Sequence, residues 1–150
     1  MFSRTVKSLY CIAEKNWSQE TFWTCFAFDG IEPDDLHCTH KFLGEQSPGQ
    51  LAEIKDVLEK HFRDNPHRTF THRFSEPEMF GPNKDVRVLR LETHEIPPEF
   101  LPDLREQLDR FRDDNYLGGY KPHVTTDQDV IDRPLSRYCL CQGNKILREW

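Results

Sequence analysis

The chain is predicted to fold as an α+β protein of two antiparallel sheets, built as two small halves that share one cleft. Three observations predict it. Strand-like segments outnumber helical ones, two stretches carry apolar residues at helical spacing, and a strand, a His-x-Thr unit and a helix are followed by a strand, a helix and a second His-x-Thr unit. With 150 residues and no linker or low-complexity segment, residues 1–150 are expected to form a single domain.

Thr21 to Phe28 is apolar on both faces, as in a strand inside a sheet, and Asp29-Gly30 ends it. After the short polar stretch Ile31 to Leu36, the run His37 to Leu43 reads as the next strand, closed by Gly44. Strict alternation would put His37, Thr39, Lys41 and Leu43 on one face and Cys38, His40 and Phe42 on the other. Ser47-Pro48-Gly49-Gln50 then starts a helix: Ser as N-cap, Pro at the first helical position, Gln three residues after the cap. Leu51, Ile54, Val57, Leu58 and Phe62 form its apolar stripe, and Asn65-Pro66 stops it.

Phe70, His72 and Phe74 alternate with polar residues and predict a strand. Gly81-Pro82-Asn83 turns the chain into another at Val86 to Leu91. A second helix is expected between Pro98 and Asp113, with Leu104, Leu108 and Phe111 on its buried stripe and Gly118-Gly119 at its exit. Tyr120 to Thr126 then carries the second unit. Ser136 to Gln142 and Lys145 to Trp150 predict a final hairpin around Gly143-Asn144.

Hydrophobic residues at 36%, including eleven Phe, argue for a packed core, so the 31% charged residues are read as a solvated exterior. A net charge of −6 offers no broad basic surface for long duplex nucleic acid, and a small ligand with few phosphates remains compatible with it. The apolar run Leu9 to Ala13 is too brief for a signal-peptide core or a membrane span, and five cysteines without a disulfide-framework spacing fit a reducing compartment. A cytoplasmic monomer is the expectation. Cys139 and Cys141 alternate along a strand and are read as small core side chains.

The chemistry-bearing pattern is the repeated unit, His37-Cys38-Thr39 and His123-Val124-Thr125. Within each, the imidazole and hydroxyl project from the same side of a strand. Two such strands side by side would supply one neutral imidazole as base, one protonated imidazole as acid, and two hydroxyl donors for a phosphoryl group. That is equipment for splitting a phosphodiester without a metal or any other cofactor.

With these flanks the sequence resembles the two-histidine (2H) phosphoesterases, also called LigT-like or RNA 2',3'-cyclic phosphodiesterase-like proteins. His37-Cys38-Thr39-His40-Lys41-Phe42-Leu43-Gly44 is similar to that family's first motif, and Pro122-His123-Val124-Thr125 to its second, over a region from Phe22 to Cys141. The resemblance implies a bilobal, pseudo-twofold fold with both motifs on central strands and a central cleft. It implies His37 and His123 as the catalytic pair and Thr39 and Thr125 as phosphate holders. The implied reaction is metal-independent hydrolysis of a ribose-linked cyclic phosphate or phosphodiester in a small nucleotide or at an RNA end. Compact members resembling this chain include phage-encoded nucleases that degrade cyclic-oligonucleotide defence signals. The rivals are a non-catalytic nucleotide-binding module of the same fold and an enzyme that processes or ligates RNA ends.

The sequence departs from the family pattern in three places. Ile31 to Leu36 is too short for the helix often found there, Thr126 stands where an apolar residue is usual, and Asp127 to Asp132 is acidic. By period two, Lys41 and Lys121 share faces with the histidines and are candidates to sit beside a phosphate. Tyr120, Phe80, Tyr10 and Trp150 are candidates for stacking on a base, with core packing as the alternative for each. His67-Arg68-Thr69, a third His-x-Thr, lacks the flanks of the other two and is read as a surface feature. His72, between two phenylalanines, is read as packed. His40 faces away from His37, which makes His37-x-x-His40 a poor metal pair, and no metal site is expected.

Overall fold

The computed structural model describes residues 18–66, 69–70, 72–112 and 120–150. Among them, strands β1 (Phe22–Phe28), β2 (His37–Gly44), β6 (Leu135–Gln142) and β7 (Lys145–Glu149) form an antiparallel sheet in the order β2-β1-β6-β7. Strands β3 (Glu78–Phe80), β4 (Val86–Arg90) and β5 (His123–Thr125) form a second, in the order β3-β4-β5. The class is α+β with two antiparallel sheets, as the sequence predicts.

β1 is buried along its whole length because β2 and β6 flank it and both its faces are covered. Phe22, Phe26 and Phe28 enter the main core. Trp23, Cys25 and Ala27 take the other face with Cys139 and Cys141, their neighbours on β6. Helix α1 (Pro48–Asp64) starts as its sequence dictates: the Ser47 hydroxyl accepts from the Gln50 amide at 3.2 Å, and the Gln50 side-chain carbonyl accepts from the Ser47 amide at 3.0 Å. It buries Ile54, Leu58 and Phe62 in the main core, joined from the second sheet by Leu89 and Val124.

Three sequence expectations are corrected. The strand expected from Phe70 to Phe74 is not found: its two ends form isolated bridges to different sheets, Phe70 with Leu135 and Phe74 with Leu91. The second helix is shorter than Pro98 to Asp113. Glu99–Leu104 winds as a π-helix around Pro102, which has no N–H for an α-helical ladder, and among the described residues of this stretch only Arg105–Leu108 (α2) is α-helical. The motif strands are not central: β2 and β5 are each the edge strand of their own sheet.

A fourth correction follows from pairing register. Cys25 pairs with Thr39 but Thr24 with Lys41, so His40 is an extra residue, a β-bulge, in β2. His37 and Thr39 therefore share a face with Ala27 and Cys25, whereas Lys41 joins Thr24 on the opposite face. The period-two expectation that Lys41 lies beside His37 fails for this reason. Lys41 is fully buried, and its ammonium donates to the half-exposed carboxylate of Asp109, just past α2.

His40 is buried too. Its Nε2–H donates to the Phe100 carbonyl at 3.0 Å, and its Nδ1 accepts from the Tyr138 hydroxyl at 2.7 Å. Burial, reinforced by the nearby Arg105 guanidinium, holds this imidazole well below the ordinary histidine range.

Two predictions follow from these buried groups. Asp109→Asn withdraws the carboxylate from a buried ammonium and should lower the unfolding free energy by roughly 1–3 kcal/mol in chemical denaturation, while Lys41→Met should cost less. His40 stays neutral when folded but takes a proton in the unfolded chain near pH ~6.5, so its contribution is complete above that value and is lost as pH falls below it. His61, also lowered by burial, acts in the same direction. Denaturation midpoints measured at about pH 7.5, 6.5 and 5.5 should decline across the series.

Candidate active site

The first histidine is positioned by the short connection that precedes it. Amides of Asp35 and Leu36 donate to the Glu32 carbonyl at 2.9 and 3.1 Å, folding Ile31 to Leu36 into a tight turn. The Arg137 guanidinium holds the carbonyls of Phe28 and Ile31 at its base. This turn presents the Pro33 carbonyl to His37, whose Nδ1–H donates to it at 2.6 Å. In the neutral ring the lone pair then sits on Nε2. The Trp23 ring lies 4.5 Å away, centroid to centroid. The segment that departs from the family pattern is thus the one that orients the imidazole.

The second histidine is held the same way by a different local device. His123 Nδ1–H donates to the carbonyl of Lys121, two residues earlier, at 2.8 Å. The Phe80 ring packs 5.0 Å from it. Register places Arg90 opposite His123 and Val88 opposite Thr125, so these four share a face while Val124 and Leu89 turn into the core. His37, Thr39, His123 and Thr125 are all partly exposed.

β2 and β5 approach within 8 Å at their Cα atoms where the two sheets meet. The Tyr120 hydroxyl spans the junction, donating to the Thr39 carbonyl at 2.5 Å. Arg105 covers the Tyr120 ring at 4.2 Å and also donates to the His40 carbonyl at the bulge. Tyr120 therefore acts first as a tie between the motif strands. It also walls a cavity of about 430 Å³ with Glu78, Phe80, Arg90, Leu91, Lys121 and Pro122. Lys121 is thus placed next to the second motif, whereas Lys41 is not beside the first. Arg90 is held by Glu78 at 3.0 Å and Glu92 at 3.3 Å.

The remaining candidates separate cleanly. Trp150 stacks on Phe62 at 5.0 Å in the main core, and its indole N–H donates to Glu59. His72 packs against Phe28 and Phe74 and donates to the Arg133 carbonyl. Tyr10 and the His67-Arg68 part of the third unit lie outside the described residues. Thr126 is buried, its hydroxyl accepting from the Gln128 amide, and Arg87 ties the acidic segment down through the Thr126 and Gln128 carbonyls and Asp129. Sequence reasoning missed Trp23, Arg105 and the Glu78–Arg90 pair. Only Arg90 left a signal, through its alternation with Val86 and Val88. Among the described residues, no three His, Cys, Asp or Glu side chains gather as a metal-binding group, and no helix is long and apolar enough to cross a membrane.

The sequence matches no protein-family model and no curated protein. Its fold does match solved structures. A phosphoesterase crystal structure superposes with a TM-score of 0.55 at 15% identity, covering 87% of this chain and 97% of the other. E. coli LigT complexed with 3'-AMP superposes with a TM-score of 0.52 at 15% identity, covering 87% and 96%. Two antiparallel sheets whose edge strands meet, each carrying one His-x-Thr unit, are thus arranged on the LigT-like phosphoesterase fold.

Proposed function

We propose that this chain is a two-histidine phosphoesterase, a cytoplasmic, monomeric single domain that hydrolyses a ribose-linked cyclic phosphate or phosphodiester of a small nucleotide without a metal. The observation that carries this reading is the matched anchoring of the two imidazoles. Each is tied at Nδ1 to a backbone carbonyl, Pro33 for His37 and Lys121 for His123, which fixes the same tautomer in both neutral rings, with the lone pair on Nε2 as proton transfer needs.

In the reaction, Nε2 of one neutral ring takes a proton from the attacking water or ribose hydroxyl as the new P–O bond forms. The other ring, protonated, gives its proton to the departing ribose oxygen as the old P–O bond breaks. Hydroxyls of Thr39 and Thr125 donate to the phosphoryl oxygens, where negative charge grows in the transition state. Lys121 adds a cation at the second motif, and Phe80, against His123, offers an apolar ring for a base. The net charge of −6 favours a small nucleotide over long RNA. A bound 3'-AMP in the LigT crystal structure supports a ligand of that size.

Assayed against cyclic mono-, di- and trinucleotides and RNA with a 2',3'-cyclic end, with products read by mass, the protein should open at least one substrate and keep its rate in chelator. His37→Ala and His123→Ala should each lower kcat by about 10²–10⁴. Turnover that survives both substitutions, or that chelator abolishes, would overturn the mechanism.

A further inference from the structure

The second sheet carries more on its motif face than the motif itself. Register sets Glu78, Val88 and Thr125 in one row across β3, β4 and β5, and pairs Arg90 with His123 in the neighbouring row. Residues two apart on a strand share a face, so Phe80 and its partner Val86 belong to this face as well. Glu78 and Thr125 end their row two strand spacings apart, about 10 Å. Between them Phe80 packs with the buried Val86 and Val88, which makes the middle of the face apolar. The His123 ring stands 5.0 Å from that of Phe80. The face thus runs from a hydroxyl and an imidazole, past an aromatic ring, to a carboxylate.

That carboxylate is aimed by its neighbour. Arg90 Nε donates to Glu78 Oε2 at 3.0 Å and Nη1 donates to Glu92 at 3.3 Å, while Nη2 serves in neither tie. Glu78 and Arg90 are both partly exposed, and both line the cavity of about 430 Å³ beside the second motif. Their pair therefore presents two acceptor oxygens next to an N–H donor. A ligand that covered it with apolar surface would strip water from charged groups and give nothing back, so the pair selects for a polar edge of matching order.

We infer that this face selects guanine among the nucleobases, with Glu78 as the specificity-determining residue. The inference rests on the phosphoesterase reading, which sets the phosphoryl group at His123 and Thr125. On its pairing edge guanine offers two adjacent donors, N1–H and N2–H, followed by an acceptor, O6. The Glu78 oxygens take the two donors, Arg90 Nη2 donates to O6, and the purine stacks on Phe80. Adenine brings one amine and turns its unprotonated N1 toward the carboxylate. Uracil has one N–H between two carbonyls, and cytosine one amine beside two acceptors, so neither fills both oxygens, and each stacks a smaller ring.

Isothermal titration of the full chain with 3'-GMP, 3'-IMP, 3'-AMP, 3'-CMP and 3'-UMP tests this. 3'-GMP should bind about tenfold or more tightly than the adenine and pyrimidine nucleotides, the worth of one bidentate contact. 3'-IMP keeps N1–H and O6 but lacks the N2 amine, so its affinity should fall between those of 3'-GMP and 3'-AMP. Glu78→Gln puts an N–H donor in place of one acceptor oxygen and should erase the preference, with folding checked by melting temperature. If that variant does not fold, the comparison of 3'-GMP with 3'-IMP on the unaltered chain decides alone. No saturable binding of 3'-GMP, equal affinities across the panel, 3'-IMP equal to 3'-GMP, or a guanine preference indifferent to Glu78→Gln would overturn the assignment. Equal turnover of guanosine and adenosine 2',3'-cyclic phosphates would sink guanine selection and uphold the phosphodiesterase reading. Selective binding of 3'-GMP with no turnover of any cyclic substrate would do the reverse.

Discussion

One inserted residue governs the candidate active site. Without the bulge at His40, strict alternation along β2 would aim the Lys41 ammonium at the face that carries His37 and Thr39. With it, His37 and Thr39 keep that face and the Lys41 side chain turns into the core instead. A bulge leaves backbone groups outside the ladder, and these need partners. Here the Arg105 guanidinium takes the His40 carbonyl and Tyr120 takes that of Thr39. The same two side chains stack on one another, so the distortion in one sheet is held by Arg105 of α2 and by Tyr120, which leads into the motif of the other sheet. The junction between two unpaired sheet edges is in this way closed by side chains rather than by a continuous ladder.

The two motifs converge on one geometry by unlike routes. His37 reaches back four residues to a carbonyl at a tight turn, and His123 reaches back two to a carbonyl at the start of its own strand. Each ring has an aromatic neighbour from a different strand, Trp23 on β1 and Phe80 on β3. On the proposed reading, unrelated local structure producing the same tautomer twice serves one role that both rings share, proton transfer at Nε2.

How much was legible in the sequence follows from how local each cause is. β1, α1 and the β6–β7 hairpin were readable because continuous apolarity, a capping box and a Gly-Asn turn act within a few residues. The two His-x-Thr units were readable for the same reason. The bulge was not, because an extra residue is defined only against a partner strand. Phe70 to Phe74 misled because alternation reports two chemically different faces and says nothing about whether both ends join one sheet. Trp23 and Arg105 act on the site from remote sequence positions, and nothing in their local pattern marks them.

Charge around the motifs points to the kind of phosphate that suits them. Lys41 is turned inward to Asp109, Arg90 lies between Glu78 and Glu92, and Arg87 is engaged with Asp129 and two carbonyls. These cations are matched within the fold, so a polyanion approaching them would have to displace carboxylates, losing pairs that already exist. A phosphodiester carries a single negative charge. On the proposed reading, one imidazolium with Lys121 nearby balances that charge, and two threonine hydroxyls supply directed donors without adding more. A site built so, from neutral donors and few cations, would discriminate by the geometry of the phosphoryl group and favour a diester over a more highly charged monoester.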